Sequence, residues 1–214
     1  MTEQQKAKFV AALVEHQSEF EGLSNEEAQW GIQQTKAVIA VVVSAIKVAH
    51  AKLSQILEFV GLVTVPATTL KFVASEKFVI NTNKDAPVKI SGLGENFKTQ
   101  FLDKVEEPLT EQELWYHRLK QSSADGPIIT ELGGEANVET TLSEMFSLMK
   151  AQGKGQAGVL LNNGYANIFY IKDVAGVLCA VYVYWNDRGW DIDANSVEYP
   201  YGWLVGSRVF SRNS

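Results

Sequence analysis

Val177-Leu-Cys-Ala-Val-Tyr-Val-Tyr-Trp-Asn186 alternates with a period of two, Asp187-Arg-Gly189 supplies a turn, and Trp190-Asp-Ile-Asp-Ala-Asn195 alternates again. This pattern predicts a β-hairpin. Successive strand residues point to opposite sides of a sheet, so Val177, Cys179, Val181, Val183, Trp185, Trp190, Ile192 and Ala194 share one wall. Tyr182, Tyr184, Asn186, Asp191, Asp193 and Asn195 share the other. The first wall is expected to be core and the second to stand in solvent. The hairpin lies in a tail, residues 158–214, that holds six of the seven tyrosines and three of the five tryptophans.

Around the hairpin, Ala166-Asn-Ile-Phe-Tyr-Ile171 reads as a strand and Asp173-Val-Ala-Gly176 as the turn that follows it. Glu198-Tyr-Pro-Tyr-Gly202 reads as a loop, and Ser207-Arg-Val-Phe-Ser211 as a last short strand that closes the sheet. Upstream, 70–72, 77–80, 88–90 and 97–101 read as short alternating strands. Thr110-Glu-Gln-Glu113 and Thr141-Leu-Ser-Glu144 have capping-box spacing, the first opening a helix through about Lys120 and the second a helix striped with Leu142, Met145, Phe146 and Met149. Gly153-Lys-Gly-Gln-Ala-Gly158 reads as a flexible joint.

At the other end, Phe9, Leu13, His16 and Phe20 mark one face of a short helix within residues 3–21. Ser24-Asn-Glu-Glu27 caps a second helix, in which Ile32, Thr35, Ile39, Val42, Ile46, Ala49, Leu53, Ile56 and Val60 recur at steps of three and four until Gly61. Such a heptad seam over residues 28–60 leans toward a homo-oligomer of three or more strands; a long helix packed on its own domain is the alternative. The chain is therefore expected to be α+β, with a helical module at 1–61 and a mixed domain at 62–214 that ends in an antiparallel sheet.

The formal charge of −6 and the lack of a basic tract argue against a nucleic-acid partner. One cysteine, Cys179, allows neither an internal disulfide nor a cysteine-only zinc site. The first residues carry no signal core, and the longest apolar run, Ala37 to Ile46, is well short of the ~20 residues of a membrane helix, so a protein that starts in the cytoplasm without membrane insertion is expected, its final compartment being open. His16, His50 and His117 have no carboxylate or cysteine at metal-ligand spacing. Asp191-x-Asp193-x-Asn195 opens like a calcium loop, but Ser196 and Gly202 stand where its glycine and glutamate belong. Gly153-Lys154 is followed by glycine, and Gly92-x-Gly94 lacks a third glycine, so neither is a phosphate loop. No enzyme, cofactor or metal is expected.

The polar wall is what remains. Tyrosine gives broad, rigid contact area that also hydrogen-bonds, and small polar residues adapt around it, the composition of antibody-type binding surfaces. Tyr199, Tyr201 and Trp203 on the next loop would extend it, with Leu204 and Ser207 as outlying members. An ordinary solvated sheet face, with aromatics favoured by cross-strand pairing, is the competing reading.

Tyrosine, asparagine and aspartate codons differ only in their first letter, and these three residues fill the whole wall between core positions of Val, Trp, Ile and Ala. Here residues 178–213 resemble the variable proteins of diversity-generating retroelements, whose adenine-rich codons near the C-terminus are mutated while the scaffold between them is kept. From about Phe78 to the Arg-Val-Phe-Ser-Arg-Asn213 ending, the chain is also similar to a group of uncharacterised bacterial proteins, with Trp190 and Trp203 as framework. The resemblance implies a C-type-lectin-like fold that displays diversified side chains to ligands, commonly proteins, without catalysis. The rival expectation is an assembly protein acting through its N-terminal helices.

Overall fold

The computed structural model describes residues 1–200 and 202–212, and the side chains of these except at 50–53. The chain divides into two compact units, 1–54 and 55–214. In the first, α1 (Glu3–Glu15), a 3-10 turn (Gln17–Phe20), α2 (Asn25–Gln33) and α3 (Thr35–Ser54) follow one another. The capping box at Ser24 forms as read, its hydroxyl accepting from the Glu27 N–H while the Glu27 carboxylate accepts from the Ser24 N–H.

The long seam does not run unbroken. A bend of 94° separates α2 from α3, so Ile32 leaves the seam. The Thr35 hydroxyl donates to the Ile32 carbonyl at 2.6 Å, a local bond that competes with the helix ladder just beyond Gly31. At the far end α3 stops at Ser54, and the Glu131 carboxylate accepts from the N–H groups of Ile56 and Leu57 at 2.8 and 2.9 Å, which takes Ile56 and Val60 out of the helix. None of residues 1–49 is buried. No single helix among the described residues is long and apolar enough to cross a membrane.

The second unit is α+β. In chain order it contains β1 (Leu57–Val65), β2 (Phe72–Val73), α4 (Ala74–Lys77), β3 (Ile90–Leu93), α5 (Glu95–Phe101), β4 (Val105–Glu106), β5 (Gln112–Leu119), α6 (Asp125–Glu131), α7 (Glu135–Val138), β6 (Glu139–Thr140), α8 (Leu142–Ala151), β7 (Asn167–Lys172), β8 (Leu178–Trp185), β9 (Trp190–Ser196) and β10 (Arg208–Ser211). The main sheet runs β1-β5-β10-β7-β8-β9-β3, with β6 also on β7, while β2 and β4 pair apart. It is mixed rather than purely antiparallel: β10 lies parallel to β7, and β3 parallel to β9. The last strand does not close the sheet. It sits inside it, between β5 and β7.

Three upstream expectations are overturned. Residues 112–119 form strand β5, not a helix, because β1 and β10 pair with both edges of the segment and outweigh its helix-start signal. Residues 95–101 form helix α5, not a strand: Phe97 and Phe101 are four apart, fully buried, and stacked with centroids 5.5 Å apart. Residues 74–77 form the short α4, which replaces the start of the strand read at 77–80. The cap at Thr141 forms as expected, and Glu106 adds to it by accepting from the Leu142 and Ser143 N–H groups at 3.0 and 2.8 Å.

Both faces of the sheet carry core. On one, Val181, Val183, Trp190, Ile192 and Phe210 pack with Phe97 and Phe101 of α5 and with Leu142, Met145 and Met149 of α8. On the other, Ile168, Tyr170, Leu178, Ala180 and Val209 pack with Ile128 and Leu132 of the α6 region and Val138 of α7. The Gly153–Gly158 stretch is not a loose joint. A Cβ on Gly155 would fall 2.1 Å from the Trp185 ring, so the turn lies directly on that core residue.

Candidate ligand-binding surface

β8 and β9 pair in the register that the alternation predicts: Trp185 faces Trp190, Tyr184 faces Asp191, and Tyr182 faces Asp193. Cys179, Val181, Val183, Trp190, Ile192 and Ala194 are buried in the first cluster, with Trp185 packed against it. Val177 departs from this wall. It is 56% exposed, in the turn before β8, because the Asp173 carboxylate accepts from its N–H at 2.8 Å and ends the turn there. Tyr182, Tyr184, Asn186, Asp191, Asp193 and Asn195 are all partly exposed.

These six are not equivalent. Toward β7 the wall runs under a second layer, where Ala180 is fully buried and Tyr182 meets Trp203 edge-on at 5.1 Å. The Trp203 indole N–H donates to Asp125 at 2.7 Å, and the Tyr170 hydroxyl donates to the same carboxylate oxygen at 2.7 Å. Asp125 is 1% exposed, and burial raises its pKa while these two bonds oppose the rise. Ser123 and Trp203 exchange backbone hydrogen bonds of 3.4 and 2.8 Å, so the loop after β9 is buckled to the start of α6. Burial, then the neighbouring charge of Asp193, pushes the Tyr182 hydroxyl up to about 12. Tyr184 is raised less, by burial and by Asp191 and Asp193.

Toward the outer edge the wall opens. Asn186 donates from its amide to Asp191 and, at 2.9 Å, to the Ser91 hydroxyl. Asp193 accepts from the N–H of Phe97, in the first turn of α5, at 3.4 Å. Neither aspartate forms an ion pair with a described lysine or arginine, so the edge is rich in acceptors.

Among the outlying members, Tyr199 is 45% and Leu204 68% exposed, whereas Ser207 is 2% exposed. Ser207 therefore cannot contact a ligand: its carbonyl accepts from the Leu119 N–H at 2.9 Å and its N–H donates to Leu204, which fixes it beneath the loop. Tyr201 lies outside the described residues. Sequence reasoning missed Asp125, Gly92 and Gly94, whose roles depend on partners 45 to 99 positions away and carry no local signal. An open cleft of about 630 Å³ lies elsewhere, lined by Phe72, Phe146, Lys77 and Lys150, and no residue of the polar wall borders it. No protein-family model, curated protein or solved structure matches the chain.

Proposed function

We propose that the outward wall of β8 and β9, continued by Tyr199 and Leu204, is the contact surface of a non-enzymatic binding protein of the retroelement-diversified, lectin-like kind. One observation carries this reading: Tyr182 opposite Asp193 and Tyr184 opposite Asp191 stand on a partly open wall whose reverse side is buried core. Tyr184 and Asp191 are thus separated from the core behind them, while Tyr182 also packs beneath Trp203. Two tyrosine rings beside carboxylates that form no ion pair with a described lysine or arginine suit a protein surface that offers hydrogen-bond donors and cations, with the rings as anchors. The encoding locus supplies the test. A near-identical repeat, with adenines at the codons for 182, 184, 186, 191, 193 and 195, is expected nearby; ordinary codons and no repeat would sink the reading.

A second reading rests on a different observation. None of residues 1–49 is buried, so the described side chains of this unit form no core of their own. The stretch Glu15–Glu27 holds five glutamates and no lysine or arginine, while α3 holds three lysines and no acid. This segregation suits packing of one copy against another, which would multiply weak sites by avidity. Light scattering on the full chain and its Ile39→Asp and Ile46→Asp variants checks it: an oligomer that both substitutions dissolve is expected. A monomeric parent, or one that floats with lipid vesicles, would count against it.

A further inference from the structure

Two glycines complete the polar wall where it reaches the sheet edge. Gly92 of β3 pairs with Asp191, and Gly94, just beyond β3, donates its N–H to the Ile192 carbonyl beside Asp193. Two rows therefore cross the wall, Tyr184-Asp191-Gly92 and Tyr182-Asp193-Gly94. Neither glycine is among the six with positive φ, and Gly94 has φ −65 and ψ 159, which any residue adopts. Backbone conformation does not call for glycine at either place. Space does: a Cβ on Gly92 would fall 1.9 Å from the nearer Asp191 carboxylate oxygen. On Gly94 it would fall 1.9 Å from the Asp193 carboxylate carbon and 2.1 and 2.2 Å from the two oxygens. Both aspartates lie down across the edge, in the volume that two missing side chains leave. Between them Leu93 packs against the first core cluster and holds the strand in place.

We infer that Gly92 and Gly94 are specificity-determining residues of this surface: they form a Cβ-free trough that lets positions 191 and 193 carry side chains of widely different size without moving the backbone. The inference rests on the reading of this wall as the diversified surface. In the present chain the trough holds two carboxylates; a tyrosine or histidine in place of Asp193 would lie over Gly94 toward the first turn of α5. Position 94 is the stricter of the two. The atom nearest Gly92 is the tip of Asp191, which can rotate away, whereas the whole Asp193 carboxylate occupies the space beside Gly94.

The experiment randomises codons 191 and 193 in full-length chains displayed on yeast, in one parent with Gly92 and Gly94 and in another with Gly92→Ala and Gly94→Ala, and sorts for folded display. Bulky residues at position 193 are expected only from the glycine parent. Melting of purified single and double variants gives the second measure. Gly94→Ala should lower Tm by about 5 °C or more when Asp193 is kept or when it is combined with Asp193→Tyr, and by under about 2 °C when it is combined with Asp193→Ala. Where Gly94→Ala fails to fold with Asp193, adding Asp193→Ala should restore folding. The same residue spectrum from both parents, or an equal Tm loss whatever stands at position 193, would overturn the inference. Neither measure uses a ligand, so its failure is separable from the absence of a template repeat.

Discussion

Trp203→Phe isolates the buckle that holds the loop beyond β9. The substitution keeps a ring edge-on to Tyr182 and the backbone pairing with Ser123, but deletes the indole N–H that donates to Asp125 at 2.7 Å. Asp125, 1% exposed, is left with the Tyr170 hydroxyl alone. Removing one donor from a buried acceptor costs about 1–3 kcal/mol, and the lost ring atoms about 1 more. For a unit of this size that is a fall of roughly 5–12 °C in Tm. The cost should depend on pH in a fixed sense. Burial raises the Asp125 pKa and the Trp203 bond lowers it, so the variant's Asp125 is raised further. A raised carboxyl group stabilises the fold fully below its unfolded value of 3.8, and that contribution is lost as pH rises through the folded value. Urea denaturation should thus show a larger deficit at pH 7 than at pH 4, and carbon NMR of the Asp125 carboxyl should titrate later than in the parent. A deficit under about 0.5 kcal/mol, or one equal at both pH values, would refute the reasoning.

Glu106→Ala removes the acceptor for the Leu142 and Ser143 N–H groups at the start of α8 and should cost about 1–3 kcal/mol in urea denaturation, with Glu106→Gln losing less. Tyr182 titrates at about 12 against 10.0 for a free tyrosine, so its contribution to stability is complete below pH 10 and disappears as pH rises through 12. Absorbance at about 295 nm should lose this late component in Tyr182→Phe, and Asp193→Asn should bring it forward because the Asp193 charge raises it. Ser207→Tyr should unfold the domain or lower its Tm by about 10 °C, whereas Leu204→Tyr should melt within about 2 °C of the parent, since only the first is buried. Tyr184→Ala should leave Tm nearly unchanged while weakening any ligand selected on the intact wall; an equal loss of stability would mark it as structural.

How far the sequence could be read depended on how local each determinant is. The hairpin was legible because an alternating pattern on both sides of Asp187-Arg-Gly189 fixes strands, register and faces together. The Ser24 and Thr141 caps were legible because each is complete within four residues. Thr110-Glu-Gln-Glu113 has the same spacing, yet the segment pairs with β1, about 50 residues upstream, and β10, about 90 downstream, which no window on 110–120 contains. Phe97 and Phe101, four apart, fit one face of an alternating strand as well as one face of a helix, and local spacing does not decide between the two. Of the candidate surface, side-chain direction could be read, but depth could not. Ser207 falls beneath the loop and Tyr182 beneath Trp203 because of contacts that form only when the chain folds back.

That difference in depth separates the candidate contacts physically. Along β8 the same wall passes from Ala180, fully buried under the α6 side, through Tyr182, capped by Trp203, to Tyr184 and Asn186 at the open end. The C-terminal strand secures the closed end. Val209 and Phe210 point into opposite cores, and Arg208 stacks over Tyr116 at 5.0 Å. Arg212 reaches the buried Glu144 at 2.9 Å, which joins the last strand to α8. A chain anchored in this way can change the side chains at 184 and 191 while the reverse face keeps its core, whereas Asn186 also accepts from the Arg188 and Gly189 N–H groups and Asp193 from that of Phe97. At 182 a change removes a ring from beneath Trp203 and disturbs Asp125 as well. If the wall is a binding surface, its variation should be broader at the open end than at 182, because the Tyr182 ring packs beneath Trp203, whose bonds to Ser123 and Asp125 hold the loop that carries Tyr199 and Leu204.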